Sequence, residues 1–248
     1  MSNRHIIEAA RKRFDAQLHT AEYKRIHADN EQLAKLVELI DIQKGKKYLD
    51  LGTGNVNVAF SLAKRYSDIV VYGLDIASNS IEKNNERCED ENIENLHFQS
   101  YNGIDFPFES GSFLGSISRY AFHHFPNVNH SISEIRRVLE PTGFFILSDP
   151  LMDEDDCENF VDQFQMQIQD GHVHFYRKPE IEKIFRENGF LIEKEFESSI
   201  RYPRQMNKNY EELFERTQEN VLHKYKIEIV EDNVYITVRV MNIMFRKD

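Results

Sequence analysis

The stretch YLDLGTGNVNVAF, residues 48–60, joins an apolar run to a turn holding two glycines and then to the start of a helix-like segment. Asp50 ends the apolar run, Gly52 and Gly54 follow at once, and Asn55, Val56 and Asn57 stand before the apolar residues resume. Such a strand-turn-helix passage serves either as a tight connection or as a backbone cradle for a ligand outside the carboxyl end of a parallel strand. Glycine suits both, because it lacks Cβ and reaches positive φ without strain. Two glycines alone leave both uses open.

The acid after the next apolar run weighs toward the ligand. Asp75 closes the run Ile69–Leu74 and lies 21 residues after Gly54. A carboxylate there can accept hydrogen bonds from both hydroxyls of an unmodified ribose. The dinucleotide fingerprint G-x-G-x-x-G would need a third glycine at position 57, where strand and helix pack beside a pyrophosphate. This chain has Asn57. A ribose ligand without a pyrophosphate fits the spacing better, and S-adenosylmethionine is one.

The surrounding chain alternates strand and helix signals. Ile6, Ile7, Ala10, Phe14 and Leu18, then Leu33, Leu36, Val37 and Ile40, fall at helical spacing, predicting helices over 4–20 and 30–41. Strands are expected at 47–51, 69–74, 96–100, 112–118 and 144–149, with helices over 56–66, from Ser78 acting as a cap, and over 128–139. This order predicts an α/β fold with a doubly wound, mostly parallel sheet. Beyond it, a helix starting near Pro179 ends at Gly189, residues 190–196 read as a strand, and 208–223 as a helix. Residues 226–230 and 234–245 form a hairpin pattern around Glu231, Asp232 and Asn233.

Bulk properties narrow the function. With 248 residues, 40% apolar and 12% aromatic, the chain can bury one large core. The division expected is an N-terminal helical cap (1–45), a ligand-binding core (46–150) and substrate-side helices with the last strands of the same domain (151–248). A net charge of −11 argues against nucleic acid as the main partner. Cys88 and Cys157 form no ligand or disulfide pattern. No window approaches the roughly 18 apolar residues of a membrane span, nor does the N-terminus read as a signal peptide, so a cytoplasmic protein is expected.

Here the chain resembles the class I S-adenosylmethionine-dependent methyltransferases, over most of its length. Their first motif, D-x-G-x-G, is met by Asp50, Gly52 and Gly54, and their second-strand acid by Asp75. The run SYNGIDFPFESGSFLGSISRYAFHHFP (100–126) is similar to the family's third- and fourth-strand region, with Asn102 at the position of the usual acid and Phe113-Leu114 at the usual Phe-Asp. Val56 stands at the family's third glycine. SRYAFHHF (118–125) looks like the fourth-strand loop of methyltransferases related to ubiquinone and menaquinone biosynthesis. EIRRVLEPTGFFILSD (134–149), GHVHFYRKPEIEKIFRENGF (171–190) and VRVMNIMFRKD (238–248) resemble the later landmarks.

The resemblance implies a Rossmann-like sheet of seven strands, the last antiparallel, with a small C-terminal cover, and S-adenosyl-L-methionine as cofactor. By it, Gly52, Thr53, Gly54 and Asn57 line the methionine half, Asp75 grips the ribose, Ile76 presses on the adenine, and Asn102 and Gly103 lie at its edge. The Arg119 backbone sits near the methionine amine. Methyl transfer needs no protein nucleophile, but a neutral imidazole can take an acceptor's proton, which singles out His123 and His124. His172, His174 and Tyr176 share one face if extended and, with Tyr23, are expected beside the substrate. Tyr23 and His27, with the acidic run 153–158, are weighed as part of a cover, though the acidic run reads as solvated surface. His-x-His lacks an evident third ligand, so no metal is expected. The expected partner is a small molecule methylated at O, N or activated C, with a homodimer left open. A binding or regulatory protein of the same fold that has lost catalysis is the second reading, and methylation of RNA or protein the third.

Overall fold

Lys47–Leu51 forms strand β1, buried everywhere after Lys47, with Tyr48 toward one face of a sheet and Leu49 and Leu51 toward the other. A short apolar run buried on both faces is what a parallel sheet covered by helices demands. The computed structural model describes residues 3–17, 30–54 and 58–248. In it β1 pairs in parallel with β2 (Val70–Asp75) on one side and β4 (Phe113–Arg119) on the other. β3 (Leu96–Ser100) extends the first side and β5 (Leu139–Pro150) the second. The full order is β3-β2-β1-β4-β5-β8-β6, with β8 (Asn233–Lys247) antiparallel between β5 and β6 (Phe190–Gln205). The last strand is thus antiparallel, and a short additional strand, β7 (Glu228–Val230), turns back onto β8 as the hairpin pattern predicts.

Helices cover both faces. Leu36 and Val37 of α2 (Asn30–Leu39), Phe60 and Leu62 of α3 (Val58–Arg65) and Ile81 of α4 (Ser78–Asp90) pack on one side. On the other lie Ile132 and Ile135 of α5 (Val128–Val138), with Ile181 and Phe185 of α7 (Lys178–Glu187). A third cluster joins Phe160 and Phe164 of α6 (Phe160–Met166), Tyr210 of α8 (Lys208–Arg216) and Val221 of α9 (Glu219–Lys224) to the first half of β8. Because Val240 pairs with Pro150 at the end of β5, the part of β8 before Val240 runs past the carboxyl ends of the parallel strands. This lobe therefore rises on the ligand side of the sheet.

Several boundaries differ from the sequence reading. β6 continues to Gln205 because β8 offers it a partner along its whole length. The helix expected over 208–223 is two: Thr217 is extended, and its hydroxyl bonds the Leu213 carbonyl at 2.7 Å, closing α8. Ser78 does not cap α4. The cap is Ala77, whose N–H donates to Asp75 Oδ1 at 2.8 Å. The N-terminal helix α1 is described over Asn3–Gln17. No helix among the described residues is long and apolar enough to cross a membrane.

Candidate active site

From β1 the chain runs outward through β2 and β3 before returning to β4 at the other flank of β1. The crevice above β1 and β4 is the switch point at which open parallel sheets bind ligands. There the turns after the two strands meet. A Cβ on Gly52 (φ +73°) would lie 2.3 Å from the Ala121 Cβ, so the chain's own packing demands glycine before any ligand does. Tyr120 takes a left-handed φ of 57°, unusual for an aromatic residue, with its N–H donating to the Ser148 carbonyl at 2.8 Å. Gly54 is pinned twice: its N–H donates to Asp75 Oδ2 at 2.7 Å, and its carbonyl accepts from Asn84 Nδ2 at 2.6 Å.

Two buried carboxylates therefore stand on this crevice. Burial raises the Asp75 pKa above its ordinary value, against the pull of the N–H groups of Ala77 and Gly54. Burial likewise pushes Asp50 up to about 7, although the Thr53 hydroxyl (2.7 Å) and the Ala59 N–H (3.1 Å) both donate to it. An unfolded chain releases the Asp50 proton near 3.8, whereas the folded chain keeps it to about 7. Between those values the folded state binds more protons, so this residue's contribution to stability declines as pH rises through the window. Asp50→Asn removes that decline and still offers an acceptor oxygen. Its urea midpoint relative to the wild type is expected to climb from about pH 4 to about pH 7. A constant offset would contradict the buried, protonated carboxyl.

The crevice opens into a pocket of about 880 Å³, its mouth included. Asp50, Gly52, Thr53, Gly54, Asp75, Ile76, Gly103 and Arg119 all line it. α1 forms the facing wall through Ile7, Ala10 and Phe14. It is tied down by Arg11 Nε donating to the Ile76 carbonyl (3.1 Å) and by Asp15 accepting the Asn79 N–H (3.1 Å). Arg119 Nε donates to Gln32 Oε1 at 2.8 Å, and Gln32 in turn donates to Ser148 and Asn242, linking α2 to β4, β5 and β8.

His124 belongs to the pocket wall, with Phe14 edge-on at 5.0 Å, and His123 packs behind it at 4.1 Å between ring centroids. Both lie on the single 3-10 turn Phe122–His124. His123 Nδ1 faces Asp149 at 3.0 Å, and its N–H donates to the same carboxyl. Burial drives this pair toward its neutral form, raising Asp149 and lowering His123. Burial also lowers His124, to about 3, so its ring is neutral at physiological pH.

Not all expected site residues meet here. His172 and His174 do share a face of an extended segment, but that face meets Asp162 of α6 rather than the pocket: His172 Nε2 lies 2.7 Å from Oδ1 and His174 Nδ1 2.6 Å from Oδ2. Tyr176 packs edge-on against His174 at 4.7 Å. Asn102 is exposed, and its side-chain oxygen accepts the N–H groups of Ile104 and Asp105, which turns it into its own loop instead of toward the pocket. The neighbouring Tyr101 lines the wall in its stead. Tyr23, His27, Val56 and Asn57 lie outside the described residues. The sequence reading missed Tyr101, Phe125, Pro126 and the α1 wall. The apolar spacing of Ile7, Ala10 and Phe14 marked a buried helix face but not what it covers.

The family model for a methyltransferase domain matches residues 42–224. The chain belongs to that family. An uncharacterized methyltransferase of Bacillus subtilis, YcgJ, is 26% identical over 166 residues, 66% of this chain and 65% of its own length. The 27-O-demethylrifamycin SV methyltransferase of Amycolatopsis mediterranei is 28% identical over 119 residues, 48% of this chain and 43% of its own. The matches thus span less than two thirds of these relatives. The crystal structure of YcgJ covers 88% of this chain and 98% of its own at a TM-score of 0.75 and 19% identity. A phosphoethanolamine N-methyltransferase of Haemonchus contortus, solved with S-adenosyl-L-methionine, covers 94% of this chain and 59% of its own at a TM-score of 0.63 and 18% identity. At such identities the structural likeness establishes the methyltransferase fold.

Proposed function

We propose that this chain transfers the methyl group of S-adenosylmethionine to a small-molecule acceptor, with Asp75 holding the ribose. The observation that carries the reading is the buried Asp75 carboxyl on the pocket wall, bonded to the glycine turn that follows β1. Each of its oxygens accepts one backbone N–H and keeps lone-pair capacity for a ribose hydroxyl. The fit extends to both ends of the ligand. Ile76 and Tyr101 offer apolar surface for a base, and Gly103 (φ +86°) brings backbone to its edge without a side chain. Thr53, Gly54 and Arg119 lie toward the methionine half.

Bound S-adenosylmethionine supplies an electrophilic methyl group on a sulfonium. The residues of the chain need only orient an acceptor in line with it and exclude water. α1 closes the pocket over Gly103, and Phe14, Phe125 and Pro126 give the acceptor end an apolar lining suited to an aromatic or aliphatic molecule. His124, which burial holds neutral and weakly basic, stands in that wall as a polar group to orient the acceptor. S-Adenosylhomocysteine is expected to raise the melting temperature, and labelled donor should pass its methyl to one class in a panel of phenols, quinols and amines. The reading fails if calorimetry detects no binding of either the donor or its demethylated product.

A further inference from the structure

We propose that Tyr101 seats the base of the cofactor through the face of its ring, and that the 6-amino group of the adenine goes unread in this chain. The inference rests on the methyltransferase reading above and deepens it at the base end of the pocket. A purine can be held in two ways. A hydrogen bond from its exocyclic amino group to a charged acceptor reads that group and is worth about 10-fold or more in affinity. Contact with an aromatic face reads only that the base is flat, and contributes about 5- to 150-fold per base.

The slot is built for the second way. β2 and β3 end side by side, and the Tyr101 N–H continues their pairing by donating to the Asp75 carbonyl at 3.1 Å. That bond sets Tyr101 beside Asp75 and Ile76, and all three line the pocket. Burial, and then the charge of Asp75, raise the pKa of the Tyr101 hydroxyl, so the ring is seated in the wall, neutral and close to the acid assigned to the ribose. The buried Phe106 meets that ring at 5.7 Å and 79° and holds its tilt. Ile76 is fixed in turn by Arg11, whose Nε donates to its carbonyl at 3.1 Å, and Ile7 of α1 closes over Gly103. The walls of the slot are apolar and held by the protein's own contacts.

The edge of the slot carries no matching reader. Asn102 is the side chain expected at the adenine edge, yet it is exposed, and its oxygen accepts the Ile104 N–H at 2.8 Å and the Asp105 N–H at 2.9 Å. This is an Asx-type turn, and swinging the oxygen to a ligand would strip both N–H groups of their partner. The Asp105 carboxylate is engaged by His130 Nε2 at 3.1 Å. Among the described residues that line the pocket, the polar side chains of Asp50, Thr53, Arg119, Tyr120 and His124 come from the ends of β1 and β4 and the turns after them, on the other side of β2 from β3.

Calorimetry on the wild type tests this with two probes, S-adenosylhomocysteine and its purine-riboside analogue, which lacks only the 6-amino group. The two are expected to bind within about fivefold of each other, the scale of one neutral hydrogen bond. A larger loss for the analogue would mean that an acceptor meets the amino group, and would overturn the proposal. Tyr101→Ala should weaken both probes by about 10-fold and leave their ratio unchanged, and Tyr101→Phe should bind both like the wild type, because the ring and not the hydroxyl makes the contact. Undiminished binding by Tyr101→Ala, or a loss in Tyr101→Phe as large as in Tyr101→Ala, would remove the ring from this role. If Tyr101→Ala folds poorly, the wild-type comparison and Tyr101→Phe still decide. Binding of S-adenosylhomocysteine with rejection of the analogue overturns this inference alone, whereas binding of neither probe sinks the methyltransferase reading on which it rests.

Discussion

Asp75→Ala is expected to abolish the thermal stabilisation that S-adenosylhomocysteine confers. Hydrogen bonds to charged groups are worth about 1.5–3 kcal/mol each, and two ribose hydroxyls would lose their acceptor, which weakens Kd by about 100-fold or more. At a ligand concentration about 100 times the wild-type Kd, the wild type gains about 2.7 kcal/mol, and the variant should gain almost nothing. The substitution also strips the N–H groups of Gly54 and Ala77 of their partner, so some loss of intrinsic stability accompanies it. Asp75→Asn keeps one acceptor oxygen and should lose an intermediate amount of both binding and stability. Isothermal calorimetry reads the result directly. Binding by Asp75→Ala within about threefold of wild type, under 1 kcal/mol, would mean the ribose is held elsewhere.

Phe185→Ala should produce the largest loss of fold stability, about 3–5 kcal/mol in urea titrations. Phe185 of α7 is fully buried and stacks on Phe245 of β8 at 4.1 Å and 8° and on Phe145 of β5 at 5.5 Å and 10°. It also meets Phe122, at 5.8 Å, the first residue of the turn that carries His123 and His124. The cavity left by its removal would therefore sit between the two antiparallel-paired strands and the floor of the acceptor end. A domain of this kind has only about 5–15 kcal/mol to lose. Leu191→Ala, at a side chain 56% exposed, is the comparison and should change stability by no more than about 0.5 kcal/mol. A Phe185→Ala loss under about 1 kcal/mol would show that the aromatic stack collapses to fill the space.

The parallel half of the sheet was readable because each strand from β1 to β5 is a short apolar run followed by its own helix or loop, and that pattern has few topologies. β6 was harder. Residues 190–196 read as a strand, but the continuation to Gln205, with Arg201, Pro203 and Arg204, does not, and it is the pairing to β8 that holds it extended. The break at Thr217 was equally hidden, since it is a single residue of extended backbone between two helical stretches of sequence. In the site, spacing singled out the glycine turn and Asp75, and the resemblance added Asp50. Asn102 was placed at the adenine edge by the resemblance, and the structure turns its oxygen into a local loop, where it accepts the Ile104 and Asp105 N–H groups.

What the order of residues determined by itself was the doubly wound sheet, the glycine turn of residues 48–60 and the acid that faces it, because strand periodicity, backbone freedom and the distance between successive strand ends are local properties. Only the tertiary structure decided why Gly52 is glycine, since Ala121, against which its Cβ would strike, is 69 residues away in the chain. It also decided that α1 walls the pocket and that His172 and His174 share the carboxylate of Asp162. Those are contacts between surfaces brought together by folding, and an apolar face or a pair of histidines does not carry in its sequence the identity of what it will meet.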